Sequence, residues 1–350
     1  MDLKVKIAPQ SSYRLIELNE TLINALESDP YGLHIKAPTG DCEPVLTTRS
    51  TTYRLRQVNQ TNTLLVAEPQ SEDGQHCTSM LAFGTAPNCL EVQKIDPAVD
   101  VSSIPTYSGY GKISYPSDQV PPRTVEQLRA CVAASDEEFD SIWRQRGGVE
   151  VNGVACILEG SVIKSLLSLI LPSIQAAKLD FNSISAEEVY KAMDADDEEE
   201  PLEIIRAIIA MFSKNDQVPY QLDPDSIVQW LGDWTLREHA PDNEITITAF
   251  QELWADTIPI SHNWTMDLKM LKGRYVQPTP TTIRYLCREK LDNNPRIRFQ
   301  QLFAVKSTWD LDEMVPFIDD LKPTAVKLEG FVMKYARKKT LGKRVVVTKR

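Results

Sequence analysis

The stretch FVMKYARKKTLGKRVVVTKR, from Phe331 to Arg350, contains eight Lys or Arg residues and no Asp or Glu. The chain has 350 residues and a formal net charge of −11, and since this stretch contributes +8, the residues before it carry −19. A basic segment on an acidic protein acts against the average field of the molecule. It predicts a local site for a polyanion, and nucleic acid is the first candidate.

The same stretch predicts a helix followed by a strand. At 100° per residue the apolar side chains share one stripe of a helix, namely Leu328, Phe331, Val332 and Tyr335. The basic side chains share a neighbouring arc, namely Lys327, Lys334, Arg337 and Lys338. Leu341-Gly342 is typical of a helix end and KRVVVTKR of a short strand. This order matches the recognition helix and wing of a winged helix; the alternative is a solvated amphipathic helix with a disordered basic end.

The composition indicates a folded globular protein of two to four domains, with 42% hydrophobic and 7% aromatic residues. No stretch of eighteen apolar residues occurs, and MDLKVKIAPQ at the N-terminus lacks the hydrophobic core of a signal peptide. The six cysteines are scattered without a CxxC pair, so we expect neither a zinc site nor a dense disulfide framework. We therefore expect a reducing compartment, cytosolic or nuclear.

Residues 1–95 read as a β domain. Polar and apolar side chains alternate over residues 4–7, 33–35 and 53–56, and Leu64-Leu65-Val66 is typical of a buried strand. So few large side chains make a thin core, and such a unit could complete itself on the strands of a partner. A self-sufficient small barrel is the alternative.

Residues 96–122 contain five prolines among small polar residues and read as a Pro-rich linker. After it, TVEQLRACVA begins with a Thr cap, and SDEEFDSIWRQR begins with a capping box from Ser135 to Glu138. VEVNGVACIL predicts a hairpin that turns on Asn152-Gly153. Helix, helix and hairpin in this order again indicate a winged helix.

The same order of elements returns further along the chain. We predict an α+β fold in which an N-terminal β-barrel-forming region is followed by tandem winged-helix domains. The first, with a helical extension, covers 123–200, the second 201–290, and the third, with the basic end, 291–350. A degenerate further module between 185 and 240 would make four. The acidic run from Asp194 to Glu200 predicts a solvated loop, or else a docking site for a basic partner.

The sequence does not indicate catalysis. In Gly109-Tyr110-Gly111-Lys112 a phosphate loop would need Ser or Thr next, but Ile113 follows. Ser161 and Lys164 match S-x-x-K but fall on an apolar helix. His76 and Cys77 are adjacent and would point to opposite faces of a strand. We expect no catalytic residue, no metal and no cofactor.

Several segments resemble the family of the cohesion subunit DCC, "defective in sister chromatid cohesion". They cover nearly the whole chain in order: TTYRLRQVNQTNTLLV, GGVEVNGVACIL, FQELWADTIP, MLKGRYVQPTPTTIRYL, TWDLDEMVPFIDDL and MKYARKKTLGKRVVVTKR. The resemblance implies a non-catalytic, nuclear subunit of the alternative replication factor C clamp loader that serves sister chromatid cohesion.

The resemblance also implies partners. The β region would form a shared barrel with the C-terminal end of the large ATPase subunit and with a very small third subunit. The winged helices would contact the catalytic part of DNA polymerase epsilon, a contact we assign to residues 123–183, and the C-terminal ones would bind DNA. The chain would then tether the loader, and indirectly the sliding clamp, to the replication fork.

Eight residues are predicted to contact DNA. Three follow from the family resemblance, namely Lys334, Arg337 and Arg350. Five are added from the charge pattern, namely Lys338, Lys339, Lys343, Arg344 and Lys349; of these, Lys339 falls toward the apolar stripe of the predicted helix. If about five of them meet phosphates, the logarithmic salt slope of binding is near −4 to −5. Phosphate contact carries no sequence information, and both single- and double-stranded DNA remain open.

Two other functions compete with a tethering subunit. A free-standing winged-helix regulator of transcription or chromatin would need sequence-selective duplex binding, but no Asn or Gln lies on the cationic arc to recognise base edges. An enzyme, in the form of a cysteine hydrolase, would depend on Cys77.

Overall fold

The computed structural model describes most of the chain. The described residues are 2–6, 13–37, 43–70, 79–97, 99–117, 120–193, 200–259, 264–322, 326–342 and 344–350. His76, Cys77, Lys343 and residues 194–199 of the acidic run lie outside them. The protein is of the α+β class, as predicted, and it divides into two compact units, Met1–Glu159 and Gly160–Arg350. Within the described residues, no helix is both long enough and apolar enough to cross a membrane.

The first unit opens with a curled half-barrel sheet. Its elements are β1 (Asp2–Val5), β2 (Leu15–Glu17), α1 (Glu20–Ser28), β3 (His34–Lys36), β4 (Val45–Thr47), β5 (Thr52–Gln70) and β6 (Ser79–Ile95). The strand order is β1-β6-β5-β4-β3, with β2 also paired to β6. Strands β5 and β6 form a long antiparallel hairpin, and β1 and β2 run parallel to β6 along its other edge.

One apolar cluster of this sheet has three buried members, namely Leu22, Leu46 and Tyr53. Leu3 and Val5, on the edge strand β1, are 57% and 60% exposed. Strands β1 and β3 lie at opposite ends of the strand order and do not pair with each other, so the described residues form an open sheet and not the closed small barrel that was the alternative.

A second sheet with two helices completes the first unit. Its elements are β7 (Thr106–Tyr107), β8 (Ile113–Ser114), α2 (Val125–Cys131), α3 (Asp136–Gln145), β9 (Gly148–Val151) and β10 (Val154–Leu158), in the strand order β8-β7-β10-β9. Thr124 caps α2 in a full capping box, and Ser135 caps α3. Asn152 and Gly153 make the turn between β9 and β10 at φ of 52° and 76°. The helices and the hairpin confirm the sequence prediction. The capping box predicted from Ser135 to Glu138 is incomplete, because the Ser135 amide donates to Thr52 and not to Glu138.

Part of the segment predicted as a linker, residues 96–122, is folded structure. Ile104 and Tyr107 are buried, and β7 pairs with β10. The Pro105 carbonyl accepts a hydrogen bond from the Ile157 amide at 2.9 Å. A proline has no backbone N–H to donate, but its carbonyl can still accept a hydrogen bond from the neighbouring strand. It can therefore stand just before a short strand. The Pro-rich composition therefore does not make the whole segment a spacer.

The second unit contains eight α-helices and six strands among its described residues. Its first part holds α4 (Gly160–Ala176), α5 (Ala186–Ala192), α6 (Leu202–Met211), α7 (Pro224–His239), β11 (Ile245–Thr246), α8 (Ile247–Asp256), β12 (Tyr275–Thr279) and β13 (Thr282–Tyr285). Its last part holds α9 (Pro295–Val305), β14 (Thr308–Asp310), α10 (Leu311–Met314), α11 (Leu328–Tyr335), β15 (Ala336–Leu341) and β16 (Arg344–Lys349).

One order of elements repeats in this unit. The last module has the strand order β14-β16-β15, and its elements in chain order are α9, β14, α10, α11, β15 and β16. The module before it has the equivalent strand order, β11-β13-β12. Its elements in chain order are α7, β11, α8, a 3-10 turn at Leu268–Leu271, β12 and β13. Among the described residues before it, α4, α5 and α6 accompany two isolated bridges, Ile184 to Tyr220 and Ser213 to Leu222. In this earlier region each bridge joins one residue to one residue, where the later modules have a paired strand.

The C-terminal helix is shorter than the predicted one. Helix α11 ends at Tyr335, and Ala336 is already extended, with φ −140° and ψ 169°. Arg337, Lys338 and Lys339 lie on β15, which pairs along its length with β16, so they do not share a helical arc with Lys334. Pairing with a strand that follows in the chain overrides the local helical pattern. Gly342 makes the turn at φ +60°.

Candidate nucleic-acid interface

The β15–β16 hairpin separates its side chains onto two faces. Val347 and Ala336 are buried and mark the inner face. Arg337 and Lys339 alternate with Ala336 along β15 and are exposed on the outer face. Arg344, which pairs with Leu341, belongs to the same outer face. The hairpin therefore presents three cations to solvent on one side and an apolar surface to the core on the other.

Lys338 differs from its neighbours on β15. It pairs with Val347, so it lies on the inner face, and its side chain is only 20% exposed. Its Nζ is 2.7 Å from Oε2 of Glu329 in α11. The positive charge of Lys338 is therefore balanced within the module. Lys339 was predicted to lie toward the apolar stripe of a helix, but in the structure its side chain faces solvent.

The chain terminus is tied to the end of α11. Nη1 of Arg350 donates a hydrogen bond to the backbone carbonyl of Lys334 at 3.1 Å. Lys349, paired with Ala336, is exposed beside them. The structure thus brings together three predicted residues, Lys334, Lys349 and Arg350, at the C-terminal end of the helix. Lys343 lies outside the described residues.

These three residues border a cleft of about 460 Å³ that the sequence did not reveal. Arg296 and Phe303 of α9 and Tyr335 of α11 complete much of its lining. Arg296 is exposed, in the first turn of α9, and was not among the predicted DNA contacts. Its only signal in the sequence is the PRIRF run, which places two arginines near a helix start. Nothing local links that run to the chain terminus.

Arg344 lies next to a different cleft, of about 630 Å³, bordered by both the α7–β13 and α9–β16 modules. Lys269 and Lys272 line it, but so do three acidic residues, namely Asp310, Asp312 and Glu313. Carboxylates in the lining offset the field of the basic side chains. This cleft is therefore a weaker site for a polyanion than the one beside Lys334.

Helix α9 is held in place by an ion pair between the buried Arg298 and a carboxylate that is partly open to solvent. Arg298 is 1% exposed, and its Nη1 is 2.7 Å from Oδ1 of Asp320. The same guanidinium donates to the backbone carbonyls of Asp292 and Phe317. A buried charge with this many acceptors fixes the position of its helix. It holds α9, and with it Arg296, against the rest of the module.

Cys156 is a buried thiol. Burial raises the pKa of the Cys156 thiol to about 11, so this thiol stays protonated at neutral pH. Within the described ranges no cluster of His, Cys, Asp and Glu has the arrangement of a metal site.

Comparison with known proteins identifies the class of this α+β chain as a sister chromatid cohesion factor. The profile described as "Sister chromatid cohesion protein Dcc1" matches residues 13–318. The protein of that name from Saccharomyces cerevisiae is 29% identical over the full length of both chains. Those from Xenopus laevis and Homo sapiens are 24% and 22% identical, over 93% and 94% of this chain and 86% of each relative.

The chain belongs to the Dcc1 family of sister chromatid cohesion proteins, as its sequence motifs indicated. This membership supports a function in sister chromatid cohesion and a connection with replication, and it indicates no enzymatic activity. The profile match ends before α11 begins, whereas the yeast relative aligns through the basic terminus.

Proposed function

We propose that this protein is a non-catalytic subunit of the alternative replication factor C clamp loader in the nucleus. It tethers the loader to DNA and to DNA polymerase epsilon, so that the sliding clamp is loaded at the replication fork. The observation that carries the proposal is the cationic outer face of the β15–β16 hairpin on an otherwise acidic protein. In the described part of the chain neither Arg337 nor Lys339 has an acidic partner.

The repeated modules of the second unit are, on this proposal, winged helices. Their order of helix, strand, two helical segments and a hairpin, with the last strand in the centre, supports that reading. In the last module α11 takes the place of the recognition helix and β15–β16 that of the wing. Lys334, Arg337 and Arg350 then contact phosphates, with Lys339, Lys349 and Arg344 beside them. Contacts to phosphates alone favour binding without sequence preference.

The open sheet of the first unit is the proposed attachment to the loader. Its edge strand β1 exposes Leu3 and Val5, and β3 at the other end exposes Ile35. Edge strands with apolar side chains are suited to receive strands from another chain. The partners proposed are the C-terminal end of the large ATPase subunit and the very small third subunit. Residues 123–183 are proposed for the polymerase contact.

A charge-reversal experiment tests the DNA contact. The full chain carrying Lys334→Glu, Arg337→Glu and Arg350→Glu is expected to lose most of its affinity for oligonucleotides, since three phosphate contacts become repulsive. The matched control carries Lys178→Glu, Lys191→Glu and Arg288→Glu, three exposed cations elsewhere in the second unit. It changes net charge equally and is expected to keep most of the binding. Equal affinity of the first variant and the unmodified chain would overturn the proposal.

Affinity for duplexes of random and of selected sequence separates this proposal from a free-standing regulator. Equal affinity agrees with a tether. A strong preference for one sequence would favour the regulator instead.

A further inference from the structure

The cleft beside the C-terminal end of α11 combines three structural elements. Helix α9 contributes Arg296 and Phe303, α11 contributes Lys334 and Tyr335, and the end of β16 contributes Lys349. Its volume of about 460 Å³ falls in the range of about 300–1,000 Å³ that is usual for small-molecule sites. A concave site of this kind fits a single flexible group better than it fits the convex surface of a duplex.

Positive charge dominates this cleft. Four basic side chains line it, namely Arg296, Lys334, Lys349 and Arg350, and no Asp or Glu is among its described lining residues. Arg350 is held in place by its hydrogen bond to the Lys334 carbonyl. Converging cations without local compensation select for a phosphate group or another multiply charged anion.

Aromatic rings form the apolar part of the same cleft. The ring of Tyr335 is stacked on Phe299, with centroids 5.2 Å apart and an interplanar angle of 21°. Phe331 meets Tyr335 edge-on at 5.4 Å, which fixes the ring from another side. Phe303, half-buried, lies next to Phe299 at 6.3 Å. The rings that face the cleft are therefore held rigidly by the core.

Cationic side chains next to rigid aromatic rings are the combination by which proteins bind single-stranded nucleic acid. The cations contact the phosphates, and the rings stack on bases. In a duplex the base faces are covered by their neighbours, so only an unpaired nucleotide can place a base against Phe303 or Tyr335.

We propose that this cleft binds an unpaired nucleotide of single-stranded DNA, with its phosphate at Arg296 and Lys334 and its base against Phe303 and Tyr335. The inference rests on the proposed function, because it takes the C-terminal module to be the DNA-binding part. It also assigns different forms of DNA to the two surfaces of this module. The outer face of the hairpin, with Arg337 and Lys339, contacts phosphates of either form of DNA, and the cleft adds affinity for single strands only.

The test compares two neutralised variants of the full chain. Fluorescence anisotropy measures the Kd for a labelled thymidine oligonucleotide and for a blunt duplex of the same length. Arg296→Gln is expected to weaken single-strand binding about tenfold and duplex binding less than about twofold, the pattern for a contact made only by single strands. Arg337→Gln is expected to weaken both. Arg296 is exposed, so its replacement does not disturb the core.

The outcomes separate the two proposals. If Arg296→Gln leaves single-strand affinity unchanged, or weakens both forms equally, while Arg337→Gln still reduces binding, the cleft assignment is overturned and the proposed function stands. If the unmodified chain binds neither form, both are overturned.

A second measurement addresses the base. An oligonucleotide containing 2-aminopurine is expected to lose fluorescence on binding, because stacking on an aromatic ring quenches it. Phe303→Leu keeps an apolar side chain in the cluster but removes the ring, and it is expected to abolish most of the quenching. Undiminished quenching in a folded Phe303→Leu variant, checked by circular dichroism, would show that the quenching does not depend on the Phe303 ring and would overturn that part of the proposal.

Discussion

The hydroxyl of Thr52, at the start of β5, donates a 2.6 Å hydrogen bond to the carboxylate of Glu138 in α3. The Ser135 hydroxyl donates to the same carboxylate at 2.7 Å, and the Ser135 amide donates to the Thr52 hydroxyl at 2.8 Å. In a complete capping box the Ser135 amide would donate to the Glu138 carboxylate; here it donates to the Thr52 hydroxyl instead. The β sheet and the first helical module share a helix cap.

This shared cap predicts the effect of Glu138→Ala. Two buried or half-buried hydroxyls lose their acceptor, so we expect the free energy of unfolding to fall by about 1–3 kcal/mol. Urea denaturation of the full chain, followed by circular dichroism, measures it. Glu137→Ala is the matched control: its partner Arg49 is 88% exposed, and a change below about 1 kcal/mol is expected. Equal losses in the two variants would contradict a special role for Glu138.

The same junction predicts that a fragment of residues 1–95 is poorly folded. It lacks Ser135 and Glu138, and it leaves Lys36 without the Asp136 carboxylate and the Ala134 carbonyl to which its amine donates. We expect residues 1–159 to resist limited proteolysis longer than residues 1–95. On the proposed function, co-expression with the two partner subunits protects the sheet further. A protease-resistant monomer of residues 1–95 that ignores both partners would count against both expectations.

Asp136 predicts a pH dependence of stability. Its hydrogen bond to Lys36 holds the pKa of this carboxyl below its ordinary value of 3.8. A group whose pKa is lower in the folded state stabilises the fold above its unfolded pKa and loses that contribution as pH falls through the folded value. Asp136→Asn is therefore expected to be less stable than the unmodified chain at pH 6, and the difference is expected to shrink below about pH 4. Denaturation at several pH values measures it; a constant difference would contradict the assignment.

The two adjacent lysines of β15 are predicted to differ in their effect on DNA binding. Lys338 is paired with Glu329, whereas Lys339 faces solvent. Lys339→Ala is expected to reduce the logarithmic salt slope of oligonucleotide binding by about 1, the value for one lost phosphate contact. Lys338→Ala is expected to leave the slope nearly unchanged. Titrations over a range of salt concentrations decide between them, and a larger effect of Lys338 would mean that the hairpin binds through its other face.

The ion pair of the buried Arg298 predicts a loss of stability for Asp320→Ala. The change leaves the guanidinium of Arg298, 1% exposed, without its carboxylate. Removing one partner of a fully buried pair costs about 3–5 kcal/mol. The lower end is expected because Asp320 is 33% exposed and backbone carbonyls still accept from Arg298. Asp319→Ala, on the neighbouring exposed residue, is the control. Chemical denaturation compares the two, and a similar small effect of both would show that the pair contributes little.

The elements that were located correctly from the sequence are formed by residues that lie close together along the chain. The caps at Thr124 and Ser135 and the turn at Asn152-Gly153 involve residues within three positions of each other. The end of α11 could not be located in this way. Its helical pattern continues to Lys338, but the chain leaves the helix at Ala336 because β16, which comes later, supplies hydrogen-bonding partners for an extended segment.

The amino-acid sequence by itself determined the α+β class, the capped helices, the family and the basic terminus, since each depends on composition or on residues close together in the chain. Only the tertiary structure decided which lysine of β15 faces solvent and that Arg296 lies beside Lys334 and Arg350. Strand pairing and side-chain packing join residues that are distant in sequence, and their geometry is set by the whole module and not by any local pattern.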